Sequence, residues 1–160
     1  MKKQLLENYL LLHIDDAFRF AYTYTKNRED AEDVVSESII KALKSIGSLR
    51  DATRIKPWFY KIIVNTSLTF IKRKSKVNYV DYEILEETNG KEDDYSGLTF
   101  ESMVKKLDDR YKSVIVLRFF ENMQIKEIAE ILSLNENTVK TRLYKGLKLL
   151  KMDLEAKDYE

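Results

Sequence analysis

Apolar residues recur every three or four positions through most of this chain, and no segment alternates polar and apolar with period two over any length. That pattern predicts an all-α protein. A first helix is expected from Lys3 to Thr25. A second starts at Asn27, where Asn27 and Asp30 resemble a capping box with Asp in place of the usual Glu. It runs to about Ile46 on a stripe of Ala31, Val35, Ile39, Ala42, Leu43 and Ile46, with Gly47 expected in the left-handed position that ends it. A further helix begins at Lys56-Pro57-Trp58, Pro57 suiting the first helical position, and continues to Lys76. Near the C-terminus, Ile125, Ile128, Ala129 and Leu132 form an apolar stripe over a short helix from Gln124. A break at Ser133-Leu134-Asn135 follows. Asn135 is a good N-cap for a last helix, its side-chain oxygen within reach of the N–H of Asn137 or Thr138.

Two helical blocks thus flank a polar gap. Residues 77–98 carry seven acids against Lys91 alone, a net charge of −6, together with the loop signals Asn89-Gly90 and Ser96-Gly97. Such a segment buries too little apolar surface to offset its chain entropy, so it reads as a linker. The expected architecture is two small helical domains, 1–76 and 99–160, joined by a flexible acidic linker over 77–98, the C-terminal domain being a helix-turn-helix. At 160 residues the chain has room for one ordinary domain or two small ones.

The last helix carries the clearest chemistry. On a 100° wheel Val139, Leu143, Gly146, Leu147 and Leu150 face inward, while Asn137, Thr141, Tyr144, Lys145 and Lys148 face out, with Lys140 and Arg142 on the flanks. Residues 140–151 hold Lys140, Arg142, Lys145, Lys148 and Lys151 and no acid. Like charges so arranged repel each other and favour a polyanion as partner. A basic amphipathic helix also suits a membrane surface; the preceding short helix and turn point instead to the DNA major groove. The second helix is different. It sets Asp30, Asp33, Glu37, Lys44 and the aliphatic Ile40 on its outer side, a pattern that fits a protein-binding patch as well as an isolated surface isoleucine. In 56–76 aromatic and polar residues interleave with cations, as a single-stranded nucleic acid surface requires. Phe59 and Phe70 share the stripe of Ile62, Ile63 and Thr66 and are expected in the core.

Composition removes other classes. Without cysteine there are no disulfides, zinc fingers or thiol chemistry, and the single histidine, His13, lies in an apolar helix as a packing or surface residue. The carboxylates fall on the gap and on solvent faces without a histidine or cysteine partner, which argues against an enzyme. No apolar run approaches the roughly 18 residues of a membrane span, and no signal peptide is evident, so a cytoplasmic location is expected, with no membrane insertion.

Three segments together resemble the extracytoplasmic-function (ECF) sigma factors of bacterial RNA polymerase. NREDAEDVVSESIIKALKSI (27–46) is similar to the helix by which such factors grip the polymerase clamp. KPWFYKIIVNTSLTFIKRKSK (56–76) is similar to their −10 promoter helix, and LDDRYKSVIVLRFFENMQIKEIAEILSLNENTVKTRLYKGLKLLK (107–151) to their −35-binding domain. The resemblance implies a transcription initiation factor that binds core RNA polymerase (clamp and flap) and promoter DNA. It performs no catalysis and needs no cofactor or metal. It implies core-polymerase contacts at Asp33, Ser36, Glu37 and Ile40, Ser36 departing from the glutamine usual there. It implies −10 strand contacts at Trp58, Tyr60, Lys61, Asn65, Lys72, Arg73 and Lys74, with a base-reading loop at about Lys76–Tyr82. The −35 readers it implies are Asn137, Thr138, Lys140, Thr141, Tyr144, Lys145 and Lys148. A membrane-anchored anti-sigma protein is implied as a further partner, one that would hold the chain at the inner face of the membrane. Promoter elements about 16–18 base pairs apart are separated by roughly 55–60 Å, and the linker extends to about 75–80 Å. Two other readings stay open on the residues alone: a stand-alone helix-turn-helix regulator, and an adaptor that binds polymerase without reading DNA.

Overall fold

The computed structural model describes residues 1–77 and 100–158, with the side chains of the last helix described as far as Met152. Residues 78–98 of the linker expected over 77–98, and most of the loop expected after the −10 helix, lie outside the described residues; Val77 is the last residue of the helix before them. Every regular element described is helical. The chain forms two compact units, one built on Met1–Val77 and the other on the helices after residue 100.

In the first unit, α1 (Lys2–Thr25), α2 (Arg28–Ser45) and α3 (Ile55–Val77) each pack on the other two. Helix α1 bends at His13 (φ −122°, ψ 17°), whose ring lies 4.7 Å from that of Tyr9, and ends on Lys26 in the left-handed conformation. Asn27 then caps α2, its side chain accepting the Asp30 N–H at 3.1 Å. The reciprocal half of the expected capping box does not form, because the Asp30 carboxylate pairs with Lys74 of α3. The core is aromatic at its centre: Phe20 and Tyr60 rings are 5.0 Å apart, and Phe59 meets Tyr9 edge-on at 6.2 Å.

The buried stripe of α2 is rotated from the expected one. Ala31, Val34, Val35, Ser38 and Ala42 are enclosed, whereas Ile39 is only half-buried and Leu43 is exposed. The inner face is centred between α1 and α3, and the small Ala31, Ser38 and Ala42 let those helices approach. Nor does Gly47 take the left-handed position. Helix α2 passes into a 3-10 turn at Ile46–Ser48, so Gly47 continues a right-handed path. Asp51 caps a second 3-10 turn, Ala52–Arg54, and α3 follows directly. Pro57 lies in the first turn of α3, where an N–H has no intrahelical acceptor to lose.

In the second unit, α4 (Phe100–Lys105) leads to α5 (Asp109–Ile115), which widens into a π-turn at Val116–Phe120. Asn122 in the left-handed conformation and an Arg118 bond to the Met123 carbonyl (3.1 Å) reverse the chain into α6 (Ile125–Leu132). Ile128 and Ala129 are buried, with Ile125 and Leu132 at the margin of the same face. The turn to α7 (Glu136–Asp158) places Ser133 at φ 56°, and the Leu134 N–H returns to the Ala129 carbonyl at 3.0 Å. The expected cap is present: Asn135 Oδ1 accepts the Thr138 N–H at 2.8 Å. Helix α7 lies on α5 at Gly146, where a Cβ would stand 2.5 Å from Ile115 Cδ1 and 3.2 Å from Tyr111 Cβ.

Candidate nucleic-acid and polymerase interface

On α2, Asp33 and Ser36 are exposed, Glu37 is half-buried and Ile40 stands 53% exposed. Glu37 lies 3.5 Å from Lys41, whose ammonium also donates to the Thr66 hydroxyl of α3 at 3.1 Å. The outer side of this helix therefore carries the Asp33 and Glu37 carboxylates beside the uncovered aliphatic side chains of Ile40 and Leu43. Asp30 does not belong to it, because Lys74 neutralises it.

Helix α3 brings together some of the residues expected for single-stranded DNA and removes one. Trp58 is half-buried, and Lys61, Asn65, Lys72 and Arg73 are exposed. Positions 58, 61, 65 and 72 are spaced by three, four and seven, so they lie along one side of the helix. Tyr60 is fully enclosed against Phe20, and its ring is a core element with no face to offer a base. Its proximity in sequence to Trp58 is misleading, since a shift of two residues turns a helical side chain by 200°. Lys74 is engaged by Asp30 and is thereby a tie between α3 and α2. Sequence reasoning missed Leu68 (53% exposed) and Ile71, which stand uncovered between Asn65 and the basic end. Their signal was an apolar residue off the buried stripe.

The outward face of α7 is as expected. Asn137, Lys140, Thr141, Tyr144, Lys145 and Lys148 are exposed, Tyr144 at 73%, and Thr138 is half-buried at the cap. The Thr141 hydroxyl donates to the Asn137 carbonyl at 2.9 Å, leaving its lone pairs and methyl outward. Side by side, these groups offer donors, an acceptor, a methyl and a ring in one plane of approach, the inventory that base edges in a major groove require. Beside this face the sequence reading passed over Arg110 and Tyr111, and it left Arg142 on the flank of the helix without a role of its own. Asp108 caps α5, accepting the Arg110 N–H at 3.0 Å and contacting Arg110 Nε at 3.2 Å. These bonds hold the Asp108 carboxyl below its usual range, and they raise the Arg110 guanidinium above its own. Asp51 is likewise lowered by the hydroxyl and N–H of Thr53.

Among the described residues no cluster of His, Cys, Asp and Glu is arranged to hold a metal ion, and no helix is long and apolar enough to cross a membrane.

Comparison with known proteins identifies both helical units. The sigma-70 region 2 family matches residues 11–77, and the sigma-70 region 4 family matches residues 98–150. RNA polymerase sigma factor SigV of Bacillus subtilis (strain 168) is 45% identical over 157 residues, covering 98% of this chain and 95% of that protein. ECF RNA polymerase sigma factor SigW of the same organism is 29% identical, covering 89% and 85%. Among solved structures, the sigma factor RpoE in complex with the anti-sigma factor NepR from Bartonella quintana shares the fold, with a TM-score of 0.74 at 18% identity over 93% of this chain and 96% of that one. CnrH, solved with the cytosolic domain of CnrY, gives a TM-score of 0.67 at 20% identity over 94% and 88%. A chain that carries both sigma regions in order, and aligns with SigV almost end to end, belongs to the sigma-70 family of RNA polymerase sigma factors, in its extracytoplasmic-function group.

Proposed function

We propose that this sigma factor divides its task by helix. The α2 face of Asp33, Ser36, Glu37 and Ile40 docks on the clamp of core polymerase. The α3 side of Trp58, Lys61, Asn65, Lys72 and Arg73 takes up the unpaired −10 strand, Trp58 supplying a stacking edge and the cations tracking phosphates. Helix α7 enters the −35 major groove with Asn137, Lys140, Thr141, Tyr144, Lys145 and Lys148, and a contact between the C-terminal unit and the polymerase flap completes the attachment. The observation that carries the reading is the exposed side of α7: a capped helix whose residues 140–151 hold five cations and no acid. In this reading 1–76 and 99–160 are separate domains tethered by 77–98. The chain acts in the cytoplasm and does no chemistry of its own; catalysis belongs to the polymerase.

RpoE was solved with an anti-sigma factor and CnrH with a cytosolic domain of CnrY. We propose a partner of the same class here, covering the α2 face and so competing with the polymerase. A partner anchored in the membrane would hold the inactive factor at its inner face.

The test is run-off transcription on fragmented genomic DNA, with bacterial core polymerase alone and with this chain added, followed by mapping of the new 5′ ends. New starts that share a −35 and a −10 element are expected. Active core and folded protein that yield no new starts would overturn the reading.

A further inference from the structure

The base-facing side of α7 does not account for every cation in the C-terminal unit. Between the start of α5 and the first turns of α7 lies an open cleft of about 330 Å³, into which Arg110, Arg142, Lys145, Asn137, Thr138 and Thr141 project. Three cations line it and no carboxylate does. Arg142 is half-buried on the flank of α7, off the outward face, and its charge is of no use to a base edge there. Arg110 is held at the other wall. Its guanidinium lies over the Tyr111 ring, 5.3 Å from the centroid, and its Nε is 3.2 Å from Asp108. The cleft also includes the N-terminal turn of α7, where Asn135 Oδ1 accepts the Thr138 N–H. Two guanidinium groups, an ammonium and the positive end of a helix dipole in one concavity make a site for a tetrahedral oxyanion.

We propose that this notch takes one backbone phosphate of the −35 duplex, beside the bases that α7 reads, with Arg110 and Arg142 as the two sides of the clamp and Asp108 as its stand-in when DNA is absent. The inference rests on the placement of α7 in the −35 groove and adds residues outside its base-facing side. Duplex binding exchanges the Asp108 carboxylate for a phosphodiester on Arg110. The phosphate fixes the depth and register of α7, so Arg110 and Arg142 position the reader without reading sequence.

The test uses holoenzyme assembled from core polymerase and the full chain, on a promoter fragment mapped by run-off transcription, with binding measured across a salt series. Arg110→Ala is expected to weaken promoter and non-promoter duplex several-fold and alike, and to lower the salt slope by about one unit. Asp108→Asn preserves the cap, since Asn serves as well as Asp there, and is expected to strengthen binding a few-fold by removing the competing charge. A scan of single neutral methylphosphonate linkages through the −35 region should find one position whose penalty disappears in Arg110→Ala holoenzyme. If wild-type holoenzyme binds, and Lys145→Ala/Lys148→Ala weakens it while Arg110→Ala and Asp108→Asn change nothing, the notch is overturned and the −35 reading stands. A methylphosphonate penalty at every position that is undiminished in Arg110→Ala overturns it too. Wild-type holoenzyme that shows no preference for the −35 element would remove both.

Discussion

Ser38 and Ser67 are wholly enclosed, one on α2 and one on α3, and neither hydroxyl oxygen has a hydrogen-bond partner among the described residues. A buried hydroxyl without a partner costs about 1–3 kcal/mol, while the small side chain is what lets neighbouring helices approach. Alanine keeps the size and removes the polar atom. Ser38→Ala and Ser67→Ala are each expected to stabilise the protein by about 1 kcal/mol, read as a higher urea midpoint with an unchanged slope. Gly146 is the opposite case. Alanine in a helix interior ordinarily gains about 1 kcal/mol over glycine, but here the new methyl would meet Ile115, itself fully buried, and the Tyr111 Cβ. Overpacking of this kind costs about 1–3 kcal/mol. Gly146→Ala is therefore expected to lower the thermal midpoint and to loosen α7 from α5; an unchanged or raised midpoint would show that Ile115 has room to turn.

At the scale of the helix, the same chain uses two charge designs. Helix α2 keeps its outer side acidic around Ile40, and Glu37 remains paired to Lys41 within the helix. Reversing both carboxylates leaves the buried face untouched. Asp33→Lys/Glu37→Lys is thus expected to abolish binding to core polymerase with the helical circular dichroism retained, as measured by co-elution with core; full binding by that variant would move the docking face elsewhere. Helix α7 is basic and capped, and Lys145 and Lys148 project from its exposed side. Replacing both by alanine is expected to reduce the salt slope of −35 duplex binding by about 0.9 for each phosphate that is no longer neutralised. A slope equal to wild type would place both ammonium groups away from the backbone.

For the molecule as a whole, the net charge of +1 conceals a strong segregation: an acidic middle, a basic last helix and a mixed N-terminal half. Near-neutrality is thus no guide to its partners. Membership of the sigma-70 family removes the stand-alone regulator and the adaptor as readings, and it accords with the proposal of one protein-docking face and two nucleic-acid faces. Stability should also depend on acid in a defined sense. Asp51 and Asp108 titrate below the usual value of 3.8 because Thr53 and Arg110 donate to them. The folded chain therefore binds fewer protons than the unfolded chain in this range. Their contribution is complete above the unfolded value and is lost as pH falls through the lowered folded one. Asp51→Asn and Asp108→Asn, which keep the cap geometry, are expected to make the loss of stability below about pH 4 shallower than in wild type, as followed by denaturant midpoints at successive pH values.

Much of this was legible in the residues, and the legible part is local. Helical period placed the stripe of Ile125, Ile128, Ala129 and Leu132 and the outward set of α7. Side-chain chemistry placed the caps Asn27 and Asn135, because a capping bond spans three residues and needs no distant partner. What the tertiary structure alone decided lies between elements. Periodicity says which residues share a side of a helix, but the angle at which helices meet selects the part that is buried. That is why α2 encloses Val34 and Ser38 in place of Ile39 and Leu43, and why Tyr60 is core while Trp58 reaches the surface. Lys74 left the basic end of α3 because Asp30, 44 residues earlier, lies beside it. Arg110 and Arg142 became neighbours of one cleft only because Gly146 allows α7 to lie close on α5. The sequence by itself determined the helices, their caps and the charge of each face. Packing between residues far apart in the chain decided which of those charges remain free to meet a partner.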